Sequence, residues 1–170
     1  SSLTQITILS SLISIGGSTF SGCTSLTQIT IPSTVTSIGD FAFSNCKELT
    51  EITIPSSVTS IGNYAFYCCS SLTEITIPSS VTSIGHNPFA DCHKLMKIQI
   101  ESSNDQYVFI DGVLFTKDVQ SIICCLLNKA GSYNIPSSVT SIGDSTFSCC
   151  NLLTQITIPS SVTSIGDEAF

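Results

Sequence analysis

The sequence predicts a repeat solenoid, a mainly β stack of short coils that forms a single domain over residues 1–170. Two observations support this prediction: leucine recurs at a 23-residue step, and cysteine recurs at the same step in a second register. A fixed period of roughly 20 to 50 residues is typical of solenoids, in which each repeat adds one coil of similar path. The recurring residues are Leu3, Leu26, Leu49, Leu72, Leu95 and Leu153, followed in the second register by Cys23, Cys46, Cys69, Cys92 and Cys150.

These steps divide the chain into coils. Four regular coils cover 1–23, 24–46, 47–69 and 70–92, an irregular coil covers 93–150, and a partial coil covers 151–170. The distance from Leu95 to Leu153 is 58 residues, so the irregular coil holds 35 residues more than a regular one. We therefore expect one continuous stack that is interrupted once.

The coil over 47–69 shows the local structure that we expect in each repeat. β-Branched residues alternate with polar ones over Glu51 to Ile54 and stop at Pro55, which predicts a short strand with one buried face. Val58 to Ile61 predicts a second short strand.

A bend and a single turn complete the coil. Gly62 supplies the bend, and Asn63 is expected to cap one helical or 3₁₀ turn that carries Ala65 and Phe66. Two strands and one turn return the chain to its start. In other coils the place of Asn63 is taken by Asp40, Asp144 and Asp167.

The coils must stack, because no single coil can bury its own apolar side chains. Paired strands lie about 4.8 Å apart, so Ile29, Ile52 and Ile75 are expected to touch in sequence order. Each buried Ile or Phe contributes roughly 1.5–3 kcal/mol, which offsets the ordering entropy of a coil only when neighbouring coils are present. Isolated coils should not fold.

The additional residues have a β-hairpin pattern. Asp111-Gly112 separates the β-rich runs Tyr107 to Ile110 and Val113 to Thr116, and this dipeptide is a strong signal for a two-residue hairpin turn. A third β-like run covers Ser121 to Leu127, and Ile135-Pro136 marks the return to the regular repeat. We expect an irregular coil that projects a hairpin.

The coil over 47–69 closely resembles the BspA-like leucine-rich repeats, whose unit reads approximately LxxIxIPxxVxxIGxxAFxxCxx. The resemblance covers essentially the whole chain, since Asp111 to Phe115 with Lys117-Asp118 is similar to an interruption that recurs in that family. It implies a leucine-rich-repeat fold, but one repeat architecture hosts many partners. The matching residues are Leu49, Ile52, Ile54, Pro55, Val58, Ile61, Gly62, Ala65, Phe66 and Cys69.

The resemblance also implies a cell-surface or secreted protein of mucosal bacteria or parasitic protozoa, which adheres to host matrix proteins or to other cells. The first coil departs from the unit, because Leu9 replaces the proline and Gly17-Ser18-Thr19 replaces the segment with alanine, so we expect it to be looser. Thr146 likewise replaces the alanine before a phenylalanine. Small residues such as Ser56 and Ser57 occupy the bend where better-known leucine-rich repeats have asparagine.

Composition excludes two classes of partner. Five basic against twelve acidic residues give a net charge of -7 with no basic cluster, which argues against nucleic acid. The longest apolar run, Ile122 to Leu127, is far shorter than the roughly 20 residues of a membrane helix, so we expect no membrane insertion. Charged residues are only 10% of the chain, and serine and threonine must keep the surface hydrated.

The nine cysteines are interpreted mainly as packed thiols, because five of them recur at one inward register where a small apolar residue fits. Cys68 and Cys149 face Asn45 and Asp91 in neighbouring coils, which argues against bridges between repeats. Only for Cys124 and Cys125 does the sequence not predict the neighbouring residues. A mostly reduced set weakens the extracellular assignment.

The sequence predicts neither a cofactor nor an enzyme. Zinc would need four convergent ligands, and the only candidates are His86, Asp91, Cys92 and His93, without paired CxxC motifs. No histidine recurs beside a serine or thiol, and the chain has no phosphate-binding loop or nucleophile elbow. Serine and threonine are abundant because they suit turns and strands.

The outward strand positions are the candidate partner-binding surface. They should form columns of hydroxyl, amide and charged groups across one face, and extended solenoid faces are what repeat proteins use to bind partners. We expect a protein partner, with an extracellular matrix protein as the example that the family suggests. The candidate residues are Thr30, Glu51, Thr53, Glu74, Thr76, Lys97 and Gln99.

Two functions stay open from the sequence. Adhesion at the cell surface follows from the resemblance, and an intracellular scaffold or regulatory protein in the cytoplasm is the alternative that unpaired cysteines favour. The chain starts in phase with a repeat and stops at Phe170, which exposes apolar coil edges. We expect either that it is an excised segment or that copies associate end to end.

Overall fold

The computed structural model describes residues 2–170 and forms a β-solenoid, as predicted, with no helix among these residues. Most coils have a first and a second short strand. The first strands are β1 (Gln5–Thr7), β3 (Gln28–Thr30), β6 (Glu74–Ile77), β8 (Lys97–Ile100), β12 (Gly131–Asn134) and β14 (Leu153–Thr157). The second strands are β2 (Ser14–Ile15), β4 (Ser37–Ile38), β5 (Ser60–Ile61), β7 (Ser83–Ile84), β13 (Ser141–Ile142) and β15 (Ser164–Ile165). The insertion adds β9 (Tyr107–Ile110), β10 (Val113–Thr116) and β11 (Ser121–Cys125).

The second strands stack in the predicted register. β2, β4, β5 and β7 form one parallel sheet in which Ile15, Ile38, Ile61 and Ile84 are aligned neighbours. Each strand has two residues, shorter than the predicted run from Val58 to Ile61. Threonine extends the pairing, since the hydroxyl of Thr59 donates to the carbonyl of Thr36 at 3.2 Å.

The first strands pair less regularly than predicted. They form three separate two-stranded parallel sheets, β1 with β3, β6 with β8 and β12 with β14. The predicted strand from Glu51 to Ile54 is reduced to an isolated bridge between Thr30 and Thr53. Its flanking bond from the Thr50 N–H to the Thr27 carbonyl is long, at 3.4 Å, so main-chain pairing is weak in this coil. Ile29, Ile52 and Ile75 nonetheless lie buried in one core cluster.

The predicted helical turn is wrong. Alternate N–H groups of the turn point along the stack, so that Phe43 and Asn45 donate to the carbonyls of Ala65 and Tyr67 at 2.8 and 2.7 Å. The intervening Ser44 N–H donates to Phe41 within its own coil at 3.0 Å. This pattern requires left-handed backbone twice in each regular coil, for example at Phe41 (φ 55°) and Asn45 (φ 60°).

The predicted helix cap is also wrong, because the capping side chains join successive coils. Asp40 Oδ1 accepts the N–H of Asn63 at 2.7 Å, and Asn63 Oδ1 accepts the N–H of His86 at 2.8 Å. Gly62 is needed for this close approach, since a Cβ there would lie 2.5 Å from the main-chain nitrogen of Asp40. The glycine therefore makes room for the neighbouring coil.

Aromatic rings and thiols fill the core beside these turns. Four phenylalanines stack along the axis with centroids 5.2, 5.4 and 5.6 Å apart; they are Phe20, Phe43, Phe66 and Phe89. The thiol of Cys69 donates to the Phe43 carbonyl in the preceding coil at 3.2 Å, and Cys46 and Cys92 make the equivalent contact. The repeated cysteine thus supplies a weak hydrogen bond as well as apolar volume.

Serine residues at the bend between the two strands bind the preceding coil. The hydroxyl of Ser57 donates to the Val35 carbonyl at 2.6 Å, and that of Ser80 donates to Val58 at 2.7 Å. The sequence located these residues at the bend, and the structure shows that they bind the preceding coil.

The inserted hairpin forms as predicted, with β9 antiparallel to β10 and left-handed backbone at Asp111 and Gly112. It does not project from the stack, and that prediction is wrong. Val113, Leu114 and Phe115 are buried, and β11 joins β10 to β13 in one sheet. β10 has three consecutive apolar residues instead of alternating apolar and polar ones, because both faces of this strand are covered.

Two buried side chains of the insertion replace the main chain of a missing regular coil. The Tyr107 hydroxyl accepts the N–H of Ile84 at 2.8 Å and donates to the Thr82 carbonyl at 3.3 Å. The Asn104 amide donates to the carbonyls of Pro78 and Val81 at 2.8 and 3.2 Å. Its carbonyl oxygen accepts the N–H groups of Gln106 and Tyr107 at 2.9 and 3.0 Å. Side chains of the insertion therefore satisfy the main-chain hydrogen-bonding groups at the edge of coil 70–92.

We expect Asn104→Ala to lower the free energy of unfolding by about 3 kcal/mol, because it leaves several buried main-chain groups without partners. Urea titration followed by circular dichroism measures this change. The control is Asn134→Ala, which makes the same chemical change on an exposed strand position and should cost under about 0.5 kcal/mol. Equal effects of the two substitutions would contradict the role of Asn104.

Candidate functional site

The candidate site is the outward surface of the first strands, which we call the strand face. It consists of the predicted partner-binding residues together with their outward neighbours in the same strands. Every predicted site residue is exposed on it, because inward isoleucines alternate with outward polar residues along each strand. These residues are Thr30, Glu51, Thr53, Glu74, Thr76, Lys97 and Gln99.

The parallel register brings these residues together in adjacent pairs. Thr30 lies opposite Thr53 at the isolated bridge. Glu74 lies opposite Lys97, and Thr76 lies opposite Gln99, in the sheet of β6 and β8. Hydroxyl, amide and charged groups therefore form short columns across neighbouring coils.

A shallow groove crosses the strand face where main-chain pairing is reduced to the Thr30–Thr53 bridge. It has a volume of 340 Å³ and lies between residues 28–31, which comprise β3 and Ile31, and residues 51–53 of the next coil. The Gln28 amide donates to Glu51 Oε1 at 3.2 Å across it. Gln28 occupies the same register as Glu51 and Glu74, and it adds an amide to the candidate site.

The candidate zinc ligands do not converge. His86 Nδ1 lies 3.8 Å from Asp144 Oδ2, whereas the Cys92 thiol donates to the Phe66 carbonyl in the core. Over residues 2–170, no group of three or more His, Cys, Asp or Glu side chains is placed to hold a metal ion. No helix in the same range has the length and hydropathy to cross a membrane.

Burial keeps the repeated thiols protonated. Burial raises the pKa of Cys46 and of Cys92 from 9.0 to about 12, with neighbouring cysteines as a smaller cause. The pKa of Cys69 is raised further for the same reason. These side chains are therefore packing groups that are poor nucleophiles and poor metal ligands.

The structure also places the two cysteines whose neighbours the sequence left open. A hydrogen bond between the side chains of Cys125 and Cys150 raises the pKa of Cys125, and burial raises it further. Cys124 is buried between Cys92 and Cys150, and its pKa is raised by desolvation and then by these two neighbours. All nine cysteines are free, and Cys149 is the one that is exposed.

Comparisons with known proteins identify the repeat. Residues 1–117 and 119–170 match the model of the BspA type leucine-rich repeat region, in 6 copies. No match was found among curated protein sequences. Among solved structures, a leucine-rich repeat protein from Eubacterium ventriosum is 34% identical, with a TM-score of 0.82 over 99% of this chain and 51% of that one.

Two further structures come from a cell surface protein and from a vaccine antigen. A leucine-rich cell surface protein from Faecalibacterium prausnitzii is 30% identical, with a TM-score of 0.63 over 99% of this chain and 58% of that one. The pneumococcal vaccine antigen PcpA is 26% identical, with a TM-score of 0.74 over 98% of this chain and 49% of that one. The chain thus spans about half the length of these proteins.

The burial pattern predicts which thiols react in the folded protein. Cys149 should be alkylated first by iodoacetamide at pH 8, with Cys23 and Cys68 slower, because these three are exposed or half-buried. Cys46, Cys69, Cys92 and Cys124 should react only after unfolding. Mass spectrometry of peptides from native and urea-unfolded samples measures the order. Rapid native alkylation of Cys69 would contradict the packed-thiol interpretation.

Stability should fall in alkaline solution. Above about pH 9 the unfolded chain releases protons from thiols that stay protonated when folded, so unfolding becomes more favourable as pH rises. The free energy of unfolding should be level from about pH 7 to 8 and then decrease by up to about 1.4 kcal/mol per pH unit for each such thiol. Urea titration at several pH values measures the slope, and a Cys46→Ala/Cys92→Ala variant should reduce it.

Proposed function

This chain belongs to the BspA-type leucine-rich repeat family, and from that premise we propose that it is a non-enzymatic recognition module whose strand face binds a protein partner. The observation that supports the proposal most is the exposure of every outward residue of the first strands, in register, on a rigid stack. Repeat proteins use such continuous faces to bind partners.

The chemistry of the strand face suits a protein surface. Threonine hydroxyls and glutamine amides both donate and accept hydrogen bonds, so they can pair with the main chain or side chains of a partner. Short β-branched side chains such as Thr53 and Thr76 lose little conformational entropy when they are covered. The surface is therefore prearranged for contact at low entropic cost.

The charges on the strand face determine which charged groups a partner must present. Glu51 and Glu74 lie on adjacent coils, and Lys97 follows on the next one. A complementary partner would present basic groups toward the two glutamates and an acidic or carbonyl group toward Lys97. Adhesion to extracellular matrix proteins or to other cells, from a cell-surface location, is the form of recognition that we propose. The description of one structural relative as a cell surface protein, and of another as a vaccine antigen, supports it.

A second candidate function, an intracellular scaffold, is favoured by the nine free cysteines, since thiols persist in reducing compartments. Cell fractionation combined with a count of reactive thiols separates the two. A reduced protein found only in the cytosolic fraction would reject adhesion in favour of the scaffold.

We expect the triple variant Glu51→Ala/Glu74→Ala/Lys97→Ala to weaken binding to a matrix protein about tenfold or more, because it removes three charges near the centre of the proposed contact. Solid-phase binding and surface plasmon resonance with collagen, laminin and fibronectin measure the effect. The same variant should fold normally, since all three side chains are exposed.

The matched control is Asp105→Ala/Asp167→Ala/Lys117→Ala, which removes the same charges from exposed positions outside the strand face. It should bind as the unaltered protein does. If both triple variants lost affinity equally, net charge would account for the binding and the strand face would be excluded as the site.

A further inference from the structure

The turns of the second and third coils carry aromatic side chains that are not part of the strand face. The rings of Phe41 and Tyr64 stack with centroids 5.2 Å apart and planes 17° from parallel. Tyr67 meets Tyr64 edge-on with centroids 6.4 Å apart. We call these three residues the aromatic shelf. It lies on the turn side of the coils, in a different register from the buried phenylalanine stack.

The backbone at this register does not favour large rings. Phe41 and Tyr64 have φ values of 55° and 51°, in the left-handed region that disfavours bulky side chains. Other coils have smaller or polar residues here with the same backbone; they are Ser18, Asn87, Ser145 and Glu168. The fold therefore accepts serine at this position, and two consecutive aromatic rings are not required to build the turn.

One face of the shelf is open. Tyr64 covers one face of Phe41, yet Phe41 is 40% exposed. The coil on its other side has Ser18 in the same register, and this serine is exposed and too short to cover a ring. The first coil therefore has no ring at this register. A position about 4.8 Å wide, the spacing of stacked coils, is left open beside Phe41.

The polar groups around the open position are neutral or acidic. Asp40 precedes Phe41 and is exposed, and its carboxylate turns toward the following coil, where Oδ1 accepts the Asn63 N–H. Ser18 is the neutral polar residue on the open side. Residues 1–46 contain no lysine or arginine. An anionic ligand would therefore find no basic partner here, whereas the Ser18 hydroxyl can form a hydrogen bond with a neutral ligand.

We propose that the aromatic shelf is a carbohydrate-binding site, which takes the pyranose ring of a neutral hexose glycan on the open face of Phe41. The face of an aromatic ring carries negative partial charge, so the polarised C–H bonds on one side of a pyranose pack against it. The edge of the sugar then meets the Ser18 hydroxyl. This site is separate from the strand face and does not depend on the function proposed for it.

Saturation-transfer NMR and titration with neutral tetrasaccharides of glucose, mannose and galactose test the proposal. We expect binding with a Kd on the order of 1 mM and an affinity at least about tenfold lower for a sialylated tetrasaccharide. Phe41→Ser should weaken neutral glycan binding at least about tenfold and still fold, since Ser18 and Ser145 occupy this register. Phe41→Tyr should stay within about twofold of the unaltered protein.

Ser18→Leu provides a second variant that removes no part of the shelf. The added aliphatic side chain would cover the open face of Phe41 without presenting a ring face of its own, so it should abolish glycan binding while Phe41 and Tyr64 stay in place. The triple alanine variant of Glu51, Glu74 and Lys97 should bind the glycan normally, which separates this site from the strand face. The proposal is overturned if no neutral tetrasaccharide binds by about 10 mM, if Phe41→Ser or Ser18→Leu retains full affinity, or if the sialylated probe binds equally well.

Discussion

Each coil of this protein depends on its neighbour for the hydrogen bonds of its own main chain. The Thr59 N–H donates to the Thr36 carbonyl at 2.8 Å beside the second strands. The Phe43 N–H donates to the Ala65 carbonyl at 2.8 Å in the turns. A buried N–H without a partner costs about 1–3 kcal/mol, so a coil that slipped by one residue would lose several bonds at once. This constraint fixes the 23-residue length and makes the coils stable only as a stack.

The insertion shows how the constraint is met where the repeat fails. A regular coil beyond β7 would supply a main-chain donor and acceptor, and the Tyr107 hydroxyl supplies both to Ile84 and Thr82. Asn104 does the same for the bend at Pro78. The 35 added residues are tolerated because two buried polar side chains take over the role of the main chain, and the strands of the hairpin fill the core.

Periodicity in the sequence was enough to predict the stack, since inward residues such as Ile29, Ile52 and Ile75 must recur for each coil to bury its side chains. It could not predict the turn. Left-handed backbone is usually signalled by glycine or asparagine, and Phe41 and Cys68 give no such signal. The sequence also predicted a helix cap at Asn63. A side chain that binds the next coil has the same sequence signature as one that binds its own turn, so the two could not be distinguished.

The outward residues of the strand face were predicted because alternation in a strand fixes which side chains are exposed. The aromatic shelf was missed because no alternation applies to a turn. A comparison within one register would have found it, since Phe41 and Tyr64 stand where other coils have Ser18 and Ser145.

The inward and outward registers of this stack are under different constraints. An inward change must fit the residues 23 positions before and after it, as the spacing of Phe43 and Phe66 shows, whereas an outward change meets mainly solvent. A single substitution per coil can therefore alter what the surface recognises without altering the path of the chain. The strand face and the aromatic shelf lie in separate outward registers, so hydrogen bonding on one and ring stacking on the other can vary independently.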